Sequence, residues 1–407
     1  MSRPCDVVII GAGPYGLSLA AHLRTLGVDF RIFGRPLDTW RSHMPSRMFL
    51  KSEGFASNLS APSSASTLKS YCDQHGIAYA DRALPIPLDT FLDYGDWFCR
   101  RFVPELEDVL VTSLEKSDEG FVVDLESGEQ VLARHVVLAV GVSCFAYTPP
   151  VLASLPNGVV SHSYHHRTVE QYRDRNVVVV GAGSSAIDLA WQLHDEGASV
   201  RIVARTDRLA FNSTPSPDTD SFLNRLQNPP SPIGQGWKSY FCASAPLMFY
   251  RLPQHLKRRA IQSHLHAAGG WFMREKVEGN ISATLGRELV SAAPHGEGVI
   301  LDLKGPSGER ETLSCDHVIA ATGYRADMRR LPFLSPVLRA QISPDGGSPI
   351  VSDMFETQID GLFAVGMATM ECFGPLLRFM VGAEFVAPRL AGHLQRICGA
   401  AATAQAA

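Results

Sequence analysis

Apolar and polar positions along the chain mark two stretches of the same design. Residues 5–10 (Cys-Asp-Val-Val-Ile-Ile) and 176–180 (Asn-Val-Val-Val-Val) are short, nearly uninterrupted apolar runs, the pattern of a parallel strand buried on both faces. Each runs directly into a glycine-punctuated turn, Gly11-Ala12-Gly13-Pro14-Tyr15-Gly16 in one case and Gly181-Ala182-Gly183-Ser184-Ser185-Ala186 in the other. Leu19, Leu23 and Leu26 then fall at helical spacing as far as Gly27, and Ala186, Ala190 and Leu193 do so as far as Gly197. A second strand follows each helix, at residues 28–33 and 198–203. These are two βαβ units.

A further echo supports an internal duplication. Residues 109–141 and 288–323 alternate like short antiparallel strands, and each ends in an apolar strand with a small-residue turn, Leu138-Ala139-Val140-Gly141 and Ala320-Ala321-Thr322-Gly323. Residues 211–236, rich in Ser, Pro and Asn, read as a long loop. Residues 254–268 read as a helix with Leu256, Ala260 and Ile261 turned inward and Lys257, Arg258 and Arg259 solvated beside them. Residues 361–366 read as a core strand ending in Gly366. Residues 396–407 read as a disordered tail.

A G-x-G-x-x-G turn between strand and helix lets backbone approach a pyrophosphate and places that anion at the helix N-terminus. Two such turns at equal internal spacing predict two dinucleotides. The acidic residue that usually holds an adenosine ribose is absent from both copies, where Gly34 and Ala204 stand. Arg205 follows Ala204 and can accept a 2′-phosphate, which points to NADP, ahead of the alternative of a solvated loop cation.

Composition narrows the class. The chain has 407 residues, a net charge of −4 and 45% hydrophobic residues, which suits a soluble globular protein and gives no basic field for nucleic acid. Eight cysteines without a C-x-x-C pair fit neither a disulfide framework nor a dithiol or zinc site and suggest a cytoplasmic protein. No apolar run reaches the length of a membrane span. His162, His165 and His166 lack a partner at metal-ligand spacing and read as a surface or cofactor-edge loop.

With these residues in place, the chain resembles the flavin-dependent monooxygenases that carry two dinucleotide folds, including the N-hydroxylating ornithine and lysine monooxygenases. Asp38-Thr39-Trp40-Arg41 resembles their G-G-T-W segment, Phe49-Leu50-Lys51 their F-L-K, and Asp316 with Ala321-Thr322-Gly323-Tyr324 their D-x-x-x-[LF]-A-T-G-Y. The F-x-G-x-x-x-H-x-x-x-[FY] pattern of flavin-containing monooxygenases is half matched: Gly158 and His162 agree, while Pro156 and His166 replace the aromatics.

The resemblance implies an α/β protein of two Rossmann-like domains, with an NADPH domain (151–312, carrying an insertion at 211–280) set into an FAD domain (1–150 and 313–395). It implies FAD on Gly11, Gly13, Pro14, Tyr15 and Gly16, with Trp40, Arg41, Thr322, Gly323, Tyr324 and Gly366 beside it. It implies NADPH on Gly181, Gly183, Ser184, Ser185 and Arg205. Lys51 would anchor substrate or the flavin edge, and Asn58 is a candidate to bond flavin or peroxide. The implied reaction is hydride transfer from NADPH to FAD, O2 addition at flavin C4a, and transfer of one oxygen to a nucleophilic nitrogen or sulfur of a small amine or thioether. A peroxide-releasing NADPH oxidase or flavin reductase and a non-catalytic nucleotide sensor remain the alternatives.

Overall fold

The computed structural model describes residues 4–214, 226–264, 268–343 and 346–406, the last six by backbone alone. Part of the expected 211–236 loop lies outside the described residues. Two parallel five-strand arrays with the same order form the frame. In the first, Leu106–Glu107, Phe30–Phe33, Cys5–Ile10, Gln130–Leu138 and Leu362–Ala364 lie side by side; in the second, Ser282–Thr284, Ser199–Val203, Asn176–Val180, His317–Ala320 and Val160–His162 do. Each fingerprint strand is therefore central and buried, as its unbroken β-branched run requires.

The second echo is also real. Val111–Ser117 and Gly120–Leu125 form an antiparallel meander with the first half of Gln130–Leu138, whose second half joins the parallel array. In the other lobe the meander Glu288–His295, Gly298–Lys304 and Arg310–Cys315 is a separate sheet. The break falls at Asp316, whose carboxylate accepts the Asn176 amide at 2.8 Å and whose own amide donates to Asn176 at 2.9 Å.

That geometry moves one boundary. The first domain was expected to resume at residue 313, yet His317–Ala320 pairs with Val177–Val180 in the middle of the second sheet. The chain leaves the second lobe only after this strand. The tail also differs from expectation: Ala383–Ala406 is one helix packed on the first fingerprint helix Pro14–Thr25, with Cys398 buried and Gln395 donating to the Leu26 carbonyl. An alanine-rich stretch reads as low complexity, but alanine is the strongest helix former.

Among the described residues of the insertion, the helices Trp237–Ser244, Pro246–Tyr250 and Gln254–His264 pack around Cys242, Phe249 and Ile261. The last helix buries Ile261, packs Ala260 on the cluster and exposes Arg258 and Arg259 as expected, but Leu256 and Lys257 exchange places. Lys257 is buried with its Nζ 5.1 Å from the centre of the Tyr250 ring, and Leu256 faces solvent. The lysine stem packs like an aliphatic residue while its head meets an aromatic face. Among the described residues no helix is long and apolar enough to cross a membrane.

Candidate functional site

Both glycine turns have the same internal logic. Gly11 has φ +113°, and a Cβ there would stand 2.4 Å from the Ala139 carbonyl oxygen; Gly181 has φ +142° and would meet the Ala321 oxygen at 2.3 Å. A Cβ on Gly16 would lie 1.9 Å from the Gly11 oxygen, and the corresponding Ala186 is fully buried. Gly13 and Gly183 are different. A Cβ on either would have no atom within 4 Å, and neither has a positive φ. The protein's own packing does not demand glycine at these two positions, which leaves space over the backbone at the start of each helix.

Both are N-cap residues of twelve-residue helices, Pro14–Thr25 and Ser184–Asp195, with φ −83° in each case and no side-chain cap. No side chain caps the first-turn amides, which lie at the positive end of each helix dipole. Ser184 and Ser185 begin the second helix. The missing ribose acid is explained in one lobe: Gly34 has φ +139° and a Cβ there would lie 3.0 Å from the Ala12 amide nitrogen, leaving no room for a carboxylate side chain. Ala204 is buried at the end of its strand, and Arg205 is exposed without a bond to a described residue. Arg201, by contrast, donates to Thr284 at 3.2 Å.

The other predicted cofactor residues surround the first turn in different roles. The Tyr15 hydroxyl lies 3.0 Å from the Leu377 carbonyl and 2.8 Å from that of Phe379, pinning the C-terminal segment over the turn. Gly366 and Gly382 admit that ring: a Cβ on Gly366 would be 3.2 Å from it, and one on Gly382 would be 2.2 Å from the hydroxyl. Trp40 packs on Phe91, and Arg41 is held by Asp96 at 2.6 Å.

Thr322, Gly323 and Tyr324 cross between the lobes. The Thr322 hydroxyl donates to the Tyr147 carbonyl, and the Gly323 carbonyl accepts from the Tyr147 amide and, at 3.1 Å, from His162 Nε2. His162 Nδ1 accepts the Tyr164 amide at 3.0 Å, so the ring is neutral with both nitrogens occupied, and burial pushes its pKa down to about 4. His162 and His166 are thus buried, not part of a surface loop, whereas His165 is exposed.

Lys51 reaches across the lobes, its Nζ donating to the Ala268 carbonyl at 2.8 Å. The side chain is open to solvent yet ringed by protein. Burial and the nearby Arg378 guanidinium push its pKa down, while Asp188 opposes the shift. Arg378, also solvent-accessible, is lowered by the same surroundings. Asp188 lies one turn into the second fingerprint helix, 3.3 Å from the Ser184 hydroxyl, and burial pushes its pKa up to about 7. Lys51, Arg378, Asp188 and Tyr324 thus gather where the lobes meet; Asp188 and Arg378 went unnoticed in the sequence.

Asn58 is not part of this group. Its Nδ2 donates to the Phe55 carbonyl and its Oδ1 accepts the Leu68 amide, which is the turn role of an Asn closing a serine-rich loop.

The profile of the pyridine nucleotide-disulphide oxidoreductases matches residues 8–233, more than half of the chain. The protein belongs to that family. Among curated relatives, a ferredoxin–NADP reductase of Bradyrhizobium sp. strain BTAi1 is 26% identical over 63% of this chain and 59% of its own, and the rice indole-3-pyruvate monooxygenase YUCCA1 is 26% identical over 49% and 47%. The chain thus spans about half the length of the curated relatives it matches. The solved ornithine hydroxylase of Pseudomonas aeruginosa superposes with a TM-score of 0.74 at 18% identity, covering 97% of this chain and 99% of that one, which shows a shared fold.

Within this oxidoreductase family a dithiol is one source of chemistry, and the thiols here are set against it. All eight cysteines are free, and burial raises every thiol pKa, the reverse of an activated thiolate.

Proposed function

We propose that the protein is an FAD- and NADPH-dependent monooxygenase that transfers one oxygen atom of O2 to a nucleophilic nitrogen, or sulfur, of a small molecule, with amine N-hydroxylation as the favoured reaction. The observation that carries this reading is the pair of uncapped helix N-termini, each opened by a glycine whose missing Cβ faces empty space. Two dinucleotides in one family fold, without a usable dithiol, leave flavin as the redox centre.

FAD is assigned to the Gly11–Gly16 turn and NADPH to the Gly181–Ser185 turn, with Arg205 at the 2′-phosphate. Flavin held there would supply the redox chemistry between nicotinamide and O2. The chain's own work is positional. The first-turn amides at Gly13 and Gly183 hold pyrophosphates, and Tyr15 clamps Leu377 and Phe379 over the first of them. His162 and Thr322 fix the crossing at Gly323 and Tyr324 so that the two lobes face each other. Lys51 and Arg378 present cationic heads in the junction, and Asp188 carries a proton there near neutral pH. A substrate amine reacts in its neutral form, which the neighbouring Lys51 and Arg378 cations favour. The Pseudomonas neighbour, named for ornithine, supports a small amine as the substrate class.

The test is oxygen uptake with NADPH across a panel of amines and thioethers, with peroxide and oxygenated product quantified. Product should match NADPH consumed for at least one substrate class. Peroxide equal to NADPH for every substrate replaces this reading with an oxidase, and failure to retain flavin removes it.

A further inference from the structure

The helical insertion carries a surface that the oxidoreductase reading does not use. Between Asp220 and Glu275 the sequence contains seven Lys and Arg and no Asp or Glu, in a chain whose overall charge is −4. The three helices bury Cys242, Phe249 and Ile261 against one another, and each turns large apolar side chains outward. Trp237 is 59% exposed, Tyr240 42%, Met248 62% and Leu256 41%. These are positions at which an ordinary solvated helix places polar residues.

Several of these groups are linked across the insertion. Trp237 and Tyr240, one turn apart, contact edge to face at 5.9 Å, and the Trp237 indole donates to the Leu226 carbonyl, fixing another exposed apolar residue beside it. Lys238 bonds Ser263 of the third helix, joining the first and last elements of the insertion. Arg258 and Arg259 on the third helix and Arg251 just before it are exposed. Helix Trp237–Ser244 also packs on Pro375–Arg378, so this surface adjoins the junction between the lobes.

We propose that this insertion docks the protein on an anionic lipid surface. Trp237 and Tyr240 of the first helix, Met248 of the second and Leu256 of the third suit the headgroup boundary, and a stretch with seven Lys and Arg and no acidic residue of its own supplies attraction to anionic headgroups, opposed by the exposed Glu371 on the helix packed against it. The helices lie on the bilayer and do not cross it. The inference is independent of which substrate is oxygenated.

The test is co-sedimentation of the flavin-loaded protein with phosphatidylcholine vesicles, with and without phosphatidylglycerol, at low and high salt. Binding should require phosphatidylglycerol and fall away at high salt. It should drop more than tenfold in Trp237→Ser/Met248→Ser and in Arg258→Glu/Arg259→Glu, both keeping the wild-type rate of NADPH oxidation in solution. Trp237 should account for a blue shift in tryptophan emission on binding. Absence of binding to either vesicle, or binding insensitive to charge and salt, overturns the proposal. So does a dimer in light scattering that the Trp237→Ser/Met248→Ser change dissolves, because the surface then belongs to a second copy of the chain.

Discussion

Alanine scanning of the first glycine turn should separate two kinds of glycine. Gly16→Ala forces a methyl to 1.9 Å from the Gly11 carbonyl oxygen, and Gly11→Ala combines φ +113° with a 2.4 Å approach to Ala139. Both must move backbone, and overpacking of this kind costs about 1–3 kcal/mol or more. Gly13→Ala meets no atom within 4 Å and keeps an ordinary φ of −83°. Alanine is a poorer N-cap than glycine by about 1 kcal/mol, but restricting the unfolded chain returns about 0.4–1 kcal/mol, so the net effect on the apoprotein is below about 1 kcal/mol. Flavin binding should suffer instead. Displacing a phosphate from one charge-assisted amide bond costs about 1.5–3 kcal/mol, or roughly ten- to a hundredfold in Kd. The assay is thermal melting of the flavin-stripped protein together with a fluorescence titration with FAD. Gly13→Ala should melt with wild type when stripped and lag behind it when FAD is present, because ligand stabilisation depends on Kd. Unchanged FAD affinity in Gly13→Ala, or apoprotein destabilisation equal to that of Gly16→Ala, would refute the reasoning.

Three further outcomes follow from the same geometry. Arg205→Ala should lower the NADPH to NADH ratio of kcat/KM by about tenfold or more, since a single charge-assisted bond to the 2′-phosphate is removed; an unchanged ratio makes Arg205 a solvated cation. Asp188 has a folded pKa near 7, above its usual 3.8, so its ionisation opposes folding as pH rises through that interval. Asp188→Asn should therefore be more stable than wild type by about 2–4 kcal/mol at pH 8 and little different at pH 4, as melts at both pH values will tell. His162 has the opposite sense of linkage: its folded pKa of about 4 lies below the ordinary 6.5, so its contribution is full above pH 6.5 and is lost as pH falls towards 4. His162→Gln, which keeps a donor and an acceptor, should flatten denaturant-derived stability across that range by close to one proton, and an unaltered slope would rule this out.

The chemistry around the junction was unevenly legible. The glycine turns could be read because both their strand runs and their spacing are local, and helix ends at Gly27 and Gly197 follow from φ values of +67° and +92° that glycine adopts freely. Lys51 stood out only through a three-residue resemblance. Asp188 and Arg378 gave no signal, since an acid in a fingerprint helix and an arginine beside apolar residues are unremarkable until two lobes close around them. His162 looked like part of a polar loop because its distant partner, the Gly323 carbonyl, lies just beyond a strand some 160 residues away and its near one, the Tyr164 amide, is backbone.

What the sequence by itself determined is whatever repeats at short range: two βαβ units, their glycine turns, the meander echoes, and the absence of a dithiol motif. The tertiary structure decided the rest. It assigned His317–Ala320 to the second sheet, because strand membership depends on hydrogen bonds made some 140 residues away. It turned Lys257 inward and Leu256 outward, because the Tyr250 ring and not helical periodicity set which face is covered. It made the alanine-rich tail a helix by giving Cys398 and Gln395 a surface to pack on. It also distinguished Gly13 and Gly183 from their neighbours, since only built surroundings reveal that a Cβ would have met empty space. Periodicity and turn chemistry are written along the chain, whereas desolvation and crowding depend on what the fold brings alongside.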